Sequence, residues 1–100
     1  MLHTVNKSPF ERNALASCLA HATDGAAILL IEDAVYGATK GTSVAAKVEA
    51  AAAKCKVFVL GPDLAARGMS EDKLIDGITV VDYEGFVDLT VEHSVVQAWL

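Results

Sequence analysis

The chain has 100 residues, with 8 Lys and Arg against 13 Asp and Glu, and a formal charge of −5. Without a surplus of cationic side chains, direct contact with nucleic acid or an anionic membrane surface is disfavoured. The longest uninterrupted apolar run, Ala26 to Ile31, is six residues, far below the roughly twenty needed to span a membrane.

Four β-rich runs alternate with helix-like stretches. Leu2 to Val5 is the first. Ser8-Pro9-Phe10-Glu11 then reads as a capping box with Pro at the first helical position, predicting a helix to about His21 that ends before Asp24-Gly25. At 100° per residue, Phe10, Ala14, Leu15, Cys18, Leu19 and Ala22 share its inward half. Ala26 to Ile31 is the second strand. Thr42 or Ser43 can cap a helix from Val44 to about Lys54. Lys56 to Leu60 is the third strand, and Asp63 can cap a short helix, Leu64 to Arg67, stopped by Gly68. Ile78 to Val81 is the fourth strand. Asp82 can cap a last helix, Tyr83 to about His93, with Phe86, Leu89 and Thr90 towards the sheet. The second and third strands lack apolar/polar alternation, as suits strands covered on both faces. The expected fold class is therefore α/β: a three-layer sandwich on a mainly parallel sheet with right-handed crossovers, all in one domain spanning residues 1–100. Trp99 and the preceding Val95-Val96 should dock on a neighbour or on the domain's own sheet, because a Trp buries about 150–250 Å².

With glycine counted and tyrosine set aside, apolar residues make up about 58% of the chain, against about 45–50% in ordinary domains. A small domain cannot hide that surplus alone, which predicts an oligomer. The 17 alanines soften the inference, since each buries little area. No basic stretch followed by an apolar core opens the chain, so a cytoplasmic location is expected.

In parallel α/β sheets, chemistry gathers at the carboxyl ends of the strands. Here those ends are Asn6-Lys7-Ser8, Glu32 to Gly37 and Gly61-Pro62-Asp63. Gly37-Ala38-Thr39-Lys40-Gly41 is no phosphate loop: three residues separate the glycines rather than four, and Lys40 precedes the second glycine. The first loop has no glycine, which excludes a dinucleotide fingerprint. No serine lies in a Gly-x-Ser-x-Gly elbow. His21 and His93 fall at predicted helix C-termini, where an imidazolium complements the dipole. Glu32-Asp33 is a single acidic pair, and the third strand ends without the Asp a response regulator would phosphorylate there. Glu32, Asp33 and Tyr36 could still line a small-ligand pocket in a non-catalytic binding module.

Cys18 and Cys55 show no Cys-x-x-Cys or zinc spacing. Cys55 precedes the third strand, at the amino end of the sheet, and reads as structural, although Lys54 and Lys56 flank it. Cys18, between Leu15 and Leu19, is too far into its helix to gain from the dipole and reads first as buried. It is nonetheless the better reactive candidate, because its helix borders the functional edge.

Several segments together resemble the DsrH/TusB family. They are Leu2-His3-Thr4-Val5 with Ser8-Pro9-Phe10; Ile28-Leu29-Leu30-Ile31-Glu32-Asp33; Lys56 to Leu60 with Asp63 to Gly68; Asp82 to Val91; and Gln97-Ala98-Trp99. Their order and spacing cover nearly the whole chain. The resemblance implies a DsrE-like fold with flavodoxin-related topology. It also implies a cytoplasmic subunit of a sulfurtransferase complex, assembled with DsrE-like and DsrF-like partners as a heterohexamer of two copies each. A partner cysteine carries a persulfide towards a DsrC/TusE-like acceptor protein, in chemistry that requires no metal or organic cofactor. The DsrH branch serves intracellular sulfur oxidation, and the TusB branch serves 2-thiolation of the tRNA wobble uridine. Cys18 fits the DsrH branch and is the candidate secondary sulfur acceptor. The nucleophilic Cys of the catalytic sister chain stands eight residues before an Arg-Gly step. Here Leu60 holds that place, which implies an accessory, organising role.

Overall fold

The computed structural model describes residues 1–100. Five parallel strands form one sheet in the order β4-β3-β2-β1-β5: β1 (Leu2–Val5), β2 (Ala27–Leu30), β3 (Lys56–Leu60), β4 (Ile78–Val81) and β5 (Val96–Trp99). From β1 to β4 each connection steps one strand in the same direction. Right-handed crossovers of that kind place everything between the strands on one face. That face carries α1 (Ala14–His21), a 3₁₀ segment (Glu32–Ala38), α2 (Ala45–Ala52) and α3 (Gly61–Ala66). The connection from β4 to β5 returns across the whole sheet and places α4 (Tyr83–Glu92) on the opposite face.

The register lays side chains out in rows. Trp99, Val5, Leu30, Val59 and Val80 stand side by side across the sheet and belong to the larger core, which also takes in Leu15, Cys18, Val35, Val48 and Leu64. One residue along the strands the side chains point the other way: Leu2, Ala27 and Leu29 form a smaller core with Leu89, lined by Phe58, Val81 and Phe86. A single helix covers this second face.

The four expected strands form, and the Asp82 cap is made: its carboxylate accepts from the Gly85 amide at 2.8 Å. Other helix starts differ. The Ser8 capping box does not form; α1 begins at Ala14. The Ser8 carbonyl instead accepts from the amides of Glu11 and Arg12, and its hydroxyl accepts from the Phe10 amide, closing a separate turn. Phe10 consequently faces solvent rather than the core. This turn packs on the 3₁₀ segment because Gly37 lacks a side chain: a Cβ there would lie 2.8 Å from Leu15 Cδ2 and 3.5 Å from Pro9 Cγ. Neither Thr42 nor Ser43 caps α2; Val44 occupies the N-cap position. α3 starts at Gly61, three residues before its expected first residue, so the Asp63 side chain lies inside the first turn. β5 was not expected as a strand. It pairs with β1, which docks Trp99 on the chain's own sheet while Val95 and Val96 remain largely exposed.

Candidate functional site

The carboxyl edge of the sheet is built from the turn after β1, the 3₁₀ segment after β2 and α3 after β3. Its centre is a polar clamp. Glu32 takes a left-handed backbone, φ +51°, the one non-glycine residue to do so. Its amide donates to Asp63 Oδ2 at 2.6 Å, which offsets some of the cost of that conformation. Arg67 donates from Nε and Nη2 to Asp33 Oδ1 at 3.0 and 2.9 Å, and from Nη1 to the Asp63 carbonyl at 3.2 Å. The Arg-Gly step at the end of α3 thus fastens two of the three edge loops together.

None of the molecule's surface grooves is lined by Glu32, Asp33 or Tyr36, the residues of the alternative small-ligand pocket. Asp33 is engaged by Arg67, the Glu32 backbone is engaged by Asp63, and the surface grooves of the molecule lie elsewhere. In the sequence, the signal for Arg67's role is its spacing four residues after Asp63 on one short helix.

Leu60 ends β3, 3% exposed, and the backbone at Gly61 runs so close to β4 that a Cβ would meet Val80 Cγ1 at 3.0 Å. The end of β3 is thus a buried leucine, beside which Gly61, Pro62, Val80, Val81 and Asp82 line an open surface groove. Neither cysteine reaches this edge from the surface. Cys18 is 0% exposed in the main core, and burial, with a smaller contribution from Cys55, pushes its pKa up to about 12. Cys55 is 6% exposed, and its thiol donates to the Thr23 carbonyl at 3.4 Å. Burial raises its pKa against the lowering pull of Lys54, with Asp24 adding to the rise. Both thiols are free and held neutral.

The three histidines are placed as structural groups. The Nδ1 atoms of His21 and His93 each lie 2.8 Å from a carbonyl oxygen one turn back, Ser17 and Leu89 respectively, to which they donate. His3, buried on β1, accepts from Trp99 Nε1 at 3.1 Å, so its own proton sits on Nε2. The ring centroids of His21 and Trp99 lie 5.6 Å apart, with the planes tilted by 41°. Burial lowers the His3 pKa, with the chain's N-terminal ammonium and His21 adding to the effect.

Comparison with known proteins agrees with this architecture. The family model described as "DsrH like protein" matches residues 7–96. A protein named TusB from Pectobacterium parmentieri is 37% identical over 99 residues, covering 99% of this chain and 100% of that protein. Its counterpart in Shigella flexneri is 36% identical over the same coverage. Among solved structures, the ychN protein of E. coli superposes with a TM-score of 0.77 at 18% identity, over 97% of both chains. MTH1491 of Methanobacterium thermoautotrophicum, a protein of unknown function, gives 0.76 at 15% identity, over 97% of this chain and 95% of that one. These two establish the shared fold, and the family match and full-length identities establish the lineage. The chain belongs to the DsrH/TusB family of sulfur-relay subunits.

Proposed function

We propose that residues 1–100 form one domain acting as an accessory, organising subunit of a cytoplasmic persulfide-relay complex, alongside DsrE-like and DsrF-like chains in a heterohexamer that passes sulfur to a DsrC/TusE-like acceptor. The observation that carries this reading is the lack of a surface thiol at the carboxyl edge: a buried Leu60 ends β3, and both thiols lie in the core. Persulfide exchange needs an accessible thiolate, so the principal transfer site belongs to another chain. Cys18 takes up sulfur as a secondary acceptor only in a form where α1 has lifted from the sheet.

Between the two branches, we favour the TusB-like role in 2-thiolation of the tRNA wobble uridine. The relatives at 36–37% identity carry that name. Cys18, the residue that pointed towards the sulfur-oxidation branch, has a full account as a core side chain.

Co-expression with the two partner chains tests the subunit role. A single co-purifying complex is expected; a chain that elutes free of both overturns it. Deleting the gene tests the branch. Loss of the 2-thio group from wobble uridine, restored by this chain, is expected. Normal thiolation with failed sulfur oxidation would assign the chain to the DsrH branch.

A further inference from the structure

The two faces of the sheet are covered unequally. One carries α1, the 3₁₀ segment, α2 and α3, and the other carries α4 alone. Around α4 lie Leu2 of β1, Ala27 and Leu29 of β2, Phe58 of β3 and Val81 of β4. The helix is thus centred over β2, and its cover stops at β1. On β5, Val96 stands in line with Leu2 and Ala98 in line with Thr4, on this same face. Val96 is 47% exposed and Ala98 is also exposed, whereas Leu2 on the next strand is fully buried. The outer side of β5 pairs with no strand, so this shelf ends at an open edge.

The flank of α4 above the shelf is apolar. Phe86 and Leu89 belong to the core beneath the helix. At 100° per residue, Tyr83 and Val87 then fall on one side of α4 and Asp88 and Glu92 on the other, with Glu84 facing outward. A right-handed crossover from β4 to β5 turns the Tyr83 side towards β5. Tyr83 and Val87 are 61 and 58% exposed. Floor and wall are both uncovered apolar surface, and they meet along a trough open to the β5 edge.

The width of the trough fits one helix. Neighbouring strands stand about 4.8 Å apart, so β5 lies about 9.6 Å from β2. Packed helices stand about 8–10 Å apart. A helix laid over β5 would therefore meet Val96 and Ala98 below and Tyr83 and Val87 beside it. α4 carries Glu84, Asp88 and Glu92 and no Lys or Arg. Charge selects an occupant with Lys or Arg along the border that reaches Glu84, and it opposes a second copy of α4.

We propose that a helix of a sister chain fills this trough, with its apolar face on Val96, Ala98, Tyr83 and Val87 and its basic border against Glu84. The inference rests on the relay-subunit reading and names the surface by which the chain joins its complex.

The complex co-expressed with both sister chains tests it. One variant carries Val87→Glu and Val96→Glu, which places carboxylates in the trough at exposed positions; another carries Glu84→Lys. Far-UV circular dichroism of each full chain checks that it folds. Dissociation of the complex on dilution, followed by sedimentation, is expected to show roughly a hundredfold weaker assembly for the first and about tenfold for the second. Benzoylphenylalanine in place of Tyr83 should photo-crosslink to a helix of one sister chain, identified by peptide mass spectrometry. An unchanged affinity in either variant overturns the proposal. So do crosslinks only to a second copy of this chain or to the acceptor protein, or none at all in an assembled complex. An unmodified chain that joins neither sister overturns the relay reading and this inference with it, whereas a complex indifferent to the variants overturns this inference alone.

Discussion

Alkylation of Cys18 provides a quantitative check on the sealed core. At pH 8 a thiol with the ordinary pKa of 9.0 is about one-tenth thiolate, whereas one at about 12 is about one part in ten thousand. Ionisation alone therefore slows reaction by about a thousandfold. The more basic thiolate is the better nucleophile, and a Brønsted slope of about 0.4–0.5 returns roughly twentyfold. The net chemical slowing is about fiftyfold, to which burial adds restricted access. Pulsed iodoacetamide labelling of a Cys55→Ala variant, native against urea-unfolded, with the extent read by mass spectrometry, should give at least that ratio. Labelling of the native protein within about threefold of the unfolded chain would show that α1 opens readily and that the core assignment of Cys18 is wrong. The same shift sets a pH dependence. Because the folded pKa lies above the unfolded 9.0, the stabilisation linked to the protonated thiol is complete below about pH 9 and is lost as pH rises through 12. A Cys18→Ala variant should lose that alkaline component.

Three further expectations can be checked by standard means. The depressed pKa of His3 means that the unfolded chain takes up a proton near pH 6.5 before the folded one does, so this stability is full above 6.5 and lost as pH falls through the folded value. The fluorescence of Trp99, the only tryptophan, should report the accompanying loss of its bond to His3; acid unfolding that is unchanged in a His3→Gln variant would refute the linkage. Asp82→Ala removes the one side-chain helix cap and should cost about 1 kcal/mol in urea titration, with no change in m-value. Gly37→Ala places a Cβ against Leu15 Cδ2 and Pro9 and should cost about 1–3 kcal/mol by thermal melts, whereas an unchanged melting temperature would mean the Ser8–Arg12 turn is loosely held.

What was legible in the sequence follows its physical cause. The runs at β2 and β3 announce buried parallel strands because nothing in them could face water, and Asp82 announces a helix start because its carboxylate has an amide to meet. β5 was hidden: Val96, Gln97 and Ala98 are exposed on an edge strand, so no buried run marks them, and only the pairing with β1 makes the segment a strand. The Ser8 capping box matches its pattern but does not form: Pro9 packs against Gly37, and Ser8 closes a separate turn instead. The edge clamp was out of reach for a similar reason. Arg67 and Asp33 are 34 residues apart, and no local rule pairs them. The apolar surplus did correspond to exposed apolar surface, concentrated on α4 and before β5.

The central claim is that this subunit organises a relay whose principal sulfur-transfer site lies on another chain. The most direct measurement is the intact mass of each chain after the assembled complex meets a persulfide donor, where one added sulfur is about 32 Da. Expected is that mass in stoichiometric amount on a partner chain, no more than a minor fraction on Cys18 of this one, and undiminished transfer when Cys18 and Cys55 are both replaced by Ala. A stoichiometric adduct on this chain, abolished by Cys18→Ala together with transfer, would contradict it.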